Sequence, residues 1–538
     1  MNYAGHVAPA QTPQTEPLWG TSQIANQGGG FGWAADDWAR LTRFLILGSE
    51  GGSYYVGERA LTQDNARVVL RCLAQDAPRT LQEIHDVSVQ GRAPKNDPAI
   101  FALALCVACP PSPTIRHQAL ALLPDVCRIG THLFYFLAAY TQLRGHGQRY
   151  GRSLRRALGA WYTSKRPETL ALDVLKYRSR HGWTHRDVLA VCHPKPPTTE
   201  HQTIFQWISW SNLQQAGAQI AQLPPLLAAY EQAQHMTGRE LQTLISMAHL
   251  PREALPTESL ISPQVWEALL DEMPMTALIR NLATMTRVGT LRPLTPAAQH
   301  VVQALGNSKR LHQARIHPIQ LLAALIVYGQ GHGMRNVETR WEPVGAILDA
   351  LDHAFYATLA VLPPSTQRLV VALDVSGSMS DGEIAGVPGL SPRVASAALA
   401  LVFASQYPQH VMVGFSKTLI PLAISPRQRL DDVVRTVTGL PFGATDCALP
   451  VLWAMQQRVE ADAFIVLTDS ETNTSSMHPA QALREYRAKT GIKAKLVVVG
   501  MVANNITIAD PADMGMLDVV GFDTATPQVL DAFLRDAR

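Results

Sequence analysis

Residues Leu369 to Met379 read LVVALDVSGSM. The first five of them form a continuous apolar run, which predicts a β-strand that is buried on both faces. Apolar runs of the same length recur at residues 411–415, 464–468 and 496–500. Segments with helical spacing lie between these runs, at residues 393–403, 431–437, 448–458 and 479–490. This alternation predicts a parallel sheet wrapped by helices, a doubly wound α/β domain that we place at residues 366–538.

Oxygen-bearing side chains follow the first of these strands. Asp374, Ser376 and Ser378 stand at alternate positions, where the end of a parallel strand would turn all three toward one point. The string alone is also typical of an Asx-turn with hydroxyl caps. Two later loops add Thr445 and Asp469 at matching places. The set of five predicts a site for a hard divalent cation, and Mg²⁺ is the ion that best fits oxygen ligands of this kind.

The same residues argue against catalysis at this site. A phosphoaspartyl enzyme has a second Asp two positions after its nucleophile, where this chain has Ser376. A metal-dependent nuclease needs a carboxylate cluster around two ions, and the spacing provides for a single ion. We therefore predict a chain that is not an enzyme, with one open coordination position that can bind a carboxylate or phosphate of a partner.

The rest of the chain has a different pattern. A length of 538 residues predicts two to four domains at roughly 100 to 200 residues each. Residues 1–30 are rich in Gln, Gly, Pro and Thr and are predicted to be a flexible lead-in. Residues 31–360 form a succession of helix-period segments without a fixed repeat, which predicts stacked helix pairs of the HEAT-like, all-α kind. The clearest of these segments are residues 99–108, 116–123, 132–143, 154–162 and 320–328.

Charge is distributed unevenly along the chain. The net charge is only +3, from 46 Lys and Arg against 43 Asp and Glu, which by itself does not suggest a nucleic-acid partner. Residues 144–195, however, contain twelve Lys and Arg against three Asp and Glu. Arg149, Arg152 and Arg156 have the spacing of one helix face, and Lys176 and Arg180 repeat it at i, i+4. The segment predicts a polyanion-binding surface; the alternative is a basic helical face lying against an acidic patch of the same protein.

Targeting signals are not evident in the sequence. The N-terminus lacks an apolar signal region, and no uncharged run approaches the ~20 residues that span a bilayer. The six cysteines are sparse and indicate free thiols in a reducing compartment. Cys106 and Cys109 have metal-ligand spacing but no second pair at zinc-site distance, which disfavours zinc. We expect a cytoplasmic protein without membrane contact.

Two resemblances sharpen these predictions. The five metal-site residues resemble the metal-ion-dependent adhesion site of von Willebrand factor A domains, in which the first Asp and both Ser anchor the ion and the second Asp acts through water. Several strings resemble the Ro autoantigen, or TROVE-domain, family, and the likeness runs from about residue 30 to the end. These strings are Phe44 to Tyr55, Arg128 to Phe134, Lys176 to His185, Met275 to Leu282 and Arg315 to Pro318.

The Ro resemblance implies a fold and a function. It implies a closed ring of helical repeats followed by the metal-site domain, Y-like small noncoding RNA bound on the outer surface, and single-stranded ends of misfolded or structured RNA in the ring hole. It also implies work alongside exoribonucleases in RNA quality control, maturation or decay. The family motif transfers the outer RNA contacts to Lys176, Arg180 and His193. Charge and spacing add Arg149, Arg152, Arg156, His185, Arg186 and Lys195.

We therefore predict a noncatalytic RNA-binding protein of a small ribonucleoprotein. The alternative, from a different class, is a metal-dependent adhesion or complex-assembly scaffold that does not bind RNA. The two differ in which substitution matters. Replacement of Lys176 and Arg180 by Ala would weaken RNA binding in the first case, and replacement of Asp374 by Ala would abolish partner capture in the second.

Overall fold

The computed structural model describes residues 11–535, apart from 50–51, 53–54, 146–149, 210–222, 334–335, 359–364, 385–388, 426–427 and 441–442. The first part of the chain is helical. Helices α1 to α19 span Asp37–Leu47, Glu58–Gln75, Ala77–Gln90, Asp97–Ala108, Pro113–Ala121, Leu123–Val126, Gly130–Arg144, Arg152–Thr163, Pro167–Lys176, His185–Cys192, Thr199–Ser209, Pro225–Ala233, Gly238–Ala248, Pro263–Leu270, Met275–Arg287, Pro296–Leu305, Ser308–Gln313, Pro318–Gly329 and Gly345–Ala357. The predicted helices therefore exist, and the segment at 116–123 is divided between α5 and α6.

Local capping explains where several helices begin. The side chain of Asp36 accepts a hydrogen bond from the Ala39 backbone N–H and caps α1. Thr184 and Asp187 form a reciprocal capping box at α10. A short hairpin precedes that helix, with β3 at Ser179–Arg180 paired antiparallel to β4 at Trp183–Thr184. The hairpin and the capping box fix the position of the basic residues around α10.

Helix α18, near the end of this region, meets the loop between α3 and α4 near its beginning. Gln320 Nε2, in α18, donates to the Pro94 carbonyl oxygen at 3.1 Å, in the loop between α3 and α4. The buried ring of His317 places Nε2 3.1 Å from the Arg92 carbonyl oxygen. These contacts close the succession of helices into a circuit.

The C-terminal part is an α/β domain. Strands β5 to β11 span Leu369–Asp374, His410–Phe415, Leu419–Leu422, Ala463–Thr468, Lys495–Gly500, Ile506–Thr507 and Met516–Val520. Helices α20 to α24 span Pro392–Gln406, Leu430–Thr438, Leu449–Gln457, Pro479–Thr490 and Thr526–Arg535. Six strands form one sheet in the order β11-β9-β8-β5-β6-β7. All neighbours are parallel except β6 and β7, so the sheet is mixed at that edge.

Strand β5 is central and is covered on both faces. Val371 and Leu373 pack into one hydrophobic cluster, and Val370 and Ala372 pack into another on the opposite face. Leu373 lies opposite Leu467 of β8 in a parallel register. The loops that follow β5 and β8 therefore leave the same edge of the sheet, as expected for a doubly wound domain.

The prediction of a flexible lead-in over residues 1–30 is wrong for residues 11–30. Strand β1, Gln23–Ala25, pairs with β2, Phe31–Ala34, and β2 pairs with β10 of the C-terminal domain. Gln14 Nε2 donates to Asp446 Oδ1 at 2.7 Å. Composition did not predict this order, because the partners lie more than 400 residues away. Residues 1–10 lie outside the described residues.

Charged contacts join the helical region to the α/β domain. The Arg43 side chain in α1 is 1% exposed and donates to both carboxylate oxygens of Asp518, each at 2.7 Å. Arg92 pairs with Asp523 in the loop after β11. Because a buried ion pair is costly to break on one side, these contacts hold the two regions together. None of the described helices is long and apolar enough to cross a bilayer.

Candidate metal centre and nucleic-acid interface

The edge of the sheet at the end of β5 gathers oxygen atoms. Asp374 is the last residue of β5, and its Oδ1 accepts the Ser376 backbone N–H at 2.9 Å. Its Oδ2 accepts the Thr468 hydroxyl at 2.6 Å. The hydroxyl oxygens of Ser376 and Ser378 are 3.0 Å apart. Both carboxylate oxygens of Asp374 are thus oriented by the backbone and by the neighbouring strand.

Two further loops complete this cluster. Asp469 follows β8, and its Oδ1 accepts the Glu471 backbone N–H at 3.0 Å. The backbone N–H of Thr445 donates to Asn473 Oδ1 at 3.0 Å, in the loop that continues from Asp469. The side chains of all five predicted ligands are buried. The structure thus places the five predicted residues in adjoining loops at one edge of the sheet.

The electrostatics of this cluster fit a bound cation. Burial raises the pKa of Asp374, and the charge of Asp469 raises it further. Burial also raises the pKa of Asp469. Among the described residues, neither carboxylate forms an ion pair with a basic side chain. No three His, Cys, Asp or Glu side chains cluster in the described part of the chain, so a metal site here depends on the Ser and Thr hydroxyls. Buried carboxylate and hydroxyl oxygens are the ligands that Mg²⁺ prefers.

A basic cavity of about 800 Å³ lies in the helical region. Its lining comes from widely separated parts of the chain, including the α3–α4 loop, the β3–β4 hairpin, α15 and the approach to α18. Asp97 is the one acidic residue among the described residues that line it. The basic residues of the lining are Lys95, Arg128, Lys176, Arg178, Arg180, Arg280 and Arg315, with His132 and His181. We call this space the basic cavity.

The cations of the basic cavity repel one another. Burial lowers the pKa of Arg128, and the nearby charge of Arg315 lowers it further. Arg128 is fixed by hydrogen bonds from Nη1 to the backbone and side-chain oxygens of Ser88, at 3.1 and 2.9 Å. Lys176, Arg180, Arg280 and Arg315 have no carboxylate within 4.0 Å in the described part of the chain. The surplus positive charge favours an anionic occupant.

A second basic surface lies between α8 and the end of α10. It is a groove of about 420 Å³, and we call it the basic groove. His193 caps α10 in the left-handed conformation, with φ of 45°, and its ring is exposed. The basic residues of the lining are Arg152, Arg155, Arg156, His193 and Lys195.

The predicted RNA contacts are therefore divided between two surfaces. Lys176 and Arg180 line the basic cavity, whereas Arg152, Arg156, His193 and Lys195 line the basic groove. The predicted i, i+4 helical pairing of Lys176 and Arg180 is wrong, because α9 ends at Lys176 and Arg180 lies in β3.

Three predicted contacts lie elsewhere. Arg186 is exposed in the first turn of α10 and lines neither surface. Arg149 lies outside the described residues. The prediction of His185 as a surface contact is wrong, since its ring is 3% exposed. Its Nδ1 is 2.8 Å from the Tyr162 hydroxyl, and its ring packs edge-on against Phe134.

Sequence reasoning missed most of the basic cavity. Charge counting selected residues 144–195 and so omitted the cavity residues Lys95, Arg128, Arg280 and Arg315. A usable signal was present, because three of these four lie inside the strings that carry the family resemblance. Those strings come together around one space although they are far apart in the chain.

Comparison with known proteins identifies the family. A model of the TROVE domain matches residues 24–240 and 250–328. A model of the Ro60 von Willebrand factor A domain matches residues 368–534. The chain belongs to the Ro60, or TROVE-domain, family.

Two relatives and one solved structure match this chain over nearly its full length. The RNA-binding protein RO60 of Deinococcus radiodurans is 39% identical over 536 residues, which cover 98% of each chain. The RNA-binding protein RO60 of Caenorhabditis elegans is 35% identical over 584 residues, covering 95% of this chain and 90% of the relative. The crystal structure of the Deinococcus radiodurans Ro (RSR) protein superposes with a TM-score of 0.67 at 36% identity, covering 93% of this chain and 99% of that one. The predicted fold class, a helical-repeat TROVE region followed by a von Willebrand factor A domain, is confirmed.

Proposed function

We propose that this Ro60-family chain is a noncatalytic RNA-binding protein. In this proposal the basic cavity holds a single-stranded end of a misfolded or structured RNA, and the basic groove holds the structured part of the same RNA or a Y-like small noncoding RNA. The names of the relatives from Deinococcus radiodurans and Caenorhabditis elegans support RNA as the ligand class. The protein would present such RNAs to exoribonucleases for maturation or decay.

The observation that carries the proposal is the charge of the basic cavity. Seven Lys and Arg residues from widely separated parts of the helical region line it, together with a single acidic residue among those described. A phosphodiester backbone would neutralise these charges, and its release of counterions would supply affinity with little dependence on base sequence. Tyr135 and Tyr177 also line the cavity and offer aromatic faces to unpaired bases.

The size of the cavity favours a single strand. Base recognition in RNA targets unpaired segments, because the major groove of an A-form helix is too narrow for side chains. The basic groove is smaller, and its Arg residues stand on the exposed side of α8, where they can reach the phosphates of a folded RNA. Two surfaces of different shape thus suit two parts of one RNA.

The experiment is a salt titration of binding. Fluorescence anisotropy with a hairpin RNA that carries a single-stranded 3′ tail should give weaker binding and a flatter dependence of log K on log salt for Lys176→Ala plus Arg180→Ala. The control is Arg239→Ala plus Arg287→Ala, which removes the same charge from exposed residues outside both surfaces. Equal affinities for all three proteins at every salt concentration would contradict the proposal.

Absence of catalysis is part of the proposal. Pure protein incubated with end-labelled RNA and Mg²⁺ should leave the RNA intact. Cleavage that co-purifies with the wild-type protein and disappears in Asp374→Asn would contradict the noncatalytic reading.

We also propose that the α/β domain binds one divalent cation, Mg²⁺. The Asp374 carboxylate and the Ser376 and Ser378 hydroxyls would hold it directly, with Thr445 and Asp469 completing the shell. The ion would supply a Lewis-acidic position for a carboxylate or phosphate of a protein or RNA partner. Support comes from the two buried carboxylates with raised pKa, which a cation would neutralise.

A further inference from the structure

An apolar slot of about 270 Å³ lies beside the basic cavity, between α15 and α18. Small side chains create it, since Ala283 of α15 and Ala323 and Ala324 of α18 do not fill the space between the two helices. These three residues stay partly exposed, whereas Leu282 and Ile319 beside them are buried. The slot is therefore a gap in the wall of the helical region.

The slot and the basic cavity share their rim. Pro94, Lys95, Thr276, Arg280 and Gln320 line both. Arg280 is exposed and has no carboxylate within 4.0 Å among the described residues. An apolar surface thus lies directly next to side chains that attract phosphate.

This combination selects the chemistry of the occupant. A nucleotide carries a flat aromatic base and an anionic phosphate on one sugar, so one unit can satisfy both parts of the site. An extended apolar chain would gain nothing from the cations at the rim. The hydroxyl of Thr276 and the amide of Gln320, which is held by its bond to the Pro94 carbonyl, stand where they could meet the polar edge of a base.

We propose that the slot accepts one unstacked nucleobase of an RNA strand whose neighbouring phosphates occupy the basic cavity. The inference rests on the proposed RNA-binding function and adds a base-binding position to it. Insertion would bury the faces of the base between the aliphatic side chains of α15 and α18. It would also fix the register of the strand, because one nucleotide is bound differently from the others.

The test is a scan with abasic sites. Single-stranded tails that each lack one base at a different position are titrated against the wild-type protein. One position should show a loss of affinity of about tenfold, the size expected for one base contact, and the others should show little change.

A filled slot should remove that signature. Ala324→Leu should bind the intact tail about as weakly as the wild type binds the sensitive abasic tail, and should show no sensitive position. Ala324→Ser keeps the slot open and should keep the sensitive position. The matched control is Ala297→Leu, which adds the same side chain at a partly buried position in α16 outside the slot.

The outcomes separate the inference from the function beneath it. Wild-type protein that binds every abasic tail as well as the intact tail overturns the slot but leaves RNA binding in place. So does a sensitive position that survives in Ala324→Leu. An apolar dye that Ala324→Leu excludes, without any abasic effect, assigns the slot to another ligand and also overturns the inference. Failure of the wild-type protein to bind any tail removes the proposed function itself.

Discussion

The edge of the sheet gathers buried anionic and hydroxyl oxygens, whereas the helical region gathers cations that are largely exposed. Asp374 and Asp469 are buried and lack a basic partner among the described residues. Arg180 and Arg280 are exposed, and within the described part of the chain neither has an acidic partner. Each site is incomplete by itself, and each is complementary to a ligand of opposite charge: a small cation at the first and a polyanion at the second.

The difference extends to how the two sites are built. Parallel register fixes the loops after β5 and β8 at one edge, so short spacings decide which side chains meet. The basic cavity is assembled by closure of the helical circuit through Gln320 and His317, so its residues come from positions more than 200 apart. Metal and salt should therefore act on separate parts of the protein, and the following experiments test that separation.

The largest effect is expected from removal of positively charged side chains from the basic cavity. Lys176→Ala, Arg280→Ala and Arg315→Ala together should weaken binding of a tailed RNA by about 100- to 1000-fold, roughly 3 to 4 kcal/mol, because charged contacts to phosphate contribute about 1 to 3 kcal/mol each. The salt slope should fall by about 2. The matched triple variant in the basic groove, at Arg152, Arg155 and Arg156, should spare a tail without a stem. Equal losses for that tail in both variants would mean that the two surfaces do not differ in ligand.

Removal of one metal ligand should have the next largest effect. Mg²⁺ at about 100 times its Kd should stabilise the wild-type protein by about 2.7 kcal/mol, seen as a rise in Tm. Asp374→Asn should abolish this rise and change the affinity for tailed RNA less than about twofold, since the sites are separate. A matched Asp→Asn change at exposed Asp271 should keep the full rise. A rise in Tm that persists in Asp374→Asn would place the cation elsewhere.

Acid should weaken the joint between the regions through His317, because its Nε2 also lies 2.9 Å from the Phe522 carbonyl oxygen of the α/β domain. Burial lowers the pKa of His317 from 6.5 to about 4, so the unfolded chain takes up a proton first as the pH falls. The contribution of the neutral His317 ring to the free energy of unfolding is complete above pH 6.5. It should decline by about 2 kcal/mol on going to pH 5. His317→Gln should make the free energy of unfolding, measured in urea, less dependent on pH. The reduction in slope should correspond to about one proton fewer taken up on unfolding. His132 and His185, whose pKa values burial also lowers, should supply the remaining slope. Identical slopes in the two proteins would contradict a neutral His317.

The smallest effect separates the two histidines at the ends of α10, His185 at its start and His193 just after its end. His193→Ala should weaken binding of a structured RNA about threefold, because an exposed ring at the basic groove loses one contact. His185→Asn should leave RNA affinity unchanged and lower the free energy of unfolding by about 1 to 3 kcal/mol, because its buried hydrogen bond to Tyr162 is lost. An RNA effect at His185 without a stability effect would return that residue to the interface.

Sequence could predict the features that depend on burial and short spacing. The strand predicted over 369–373 agrees with β5, which ends one residue later at Asp374. The agreement is good because a continuous apolar run is typical of a strand covered on both faces. The helical interpretation of Lys176 and Arg180 failed at the end of α9, where apolar spacing gives no warning. A hairpin signal was available there in Gly182, because a two-residue turn favours a residue that tolerates positive φ. In the structure His181 and Gly182 form that turn between β3 and β4, with φ of 51° and 77°.

Other features could not be predicted because their partners are distant. The order of residues 11–30 depends on Asp446 and on β10, which no local composition records. The shared space around Arg128, Arg280 and Arg315 exists only after the circuit closes. Conversely, His185 was predicted as an RNA contact from charge and spacing, yet its ring is buried against Phe134 and Tyr162.

Photocrosslinking tests the central claim most directly. A hairpin RNA with a single-stranded 3′ tail is made with 4-thiouridine in the tail or in the stem, irradiated on the protein, and the crosslinked peptides are identified by mass spectrometry. The account predicts tail crosslinks in the basic cavity, at Tyr135 and Tyr177, and stem crosslinks in the basic groove, at residues 152–156 and 193–195. Tail crosslinks that fall outside the basic cavity would contradict it.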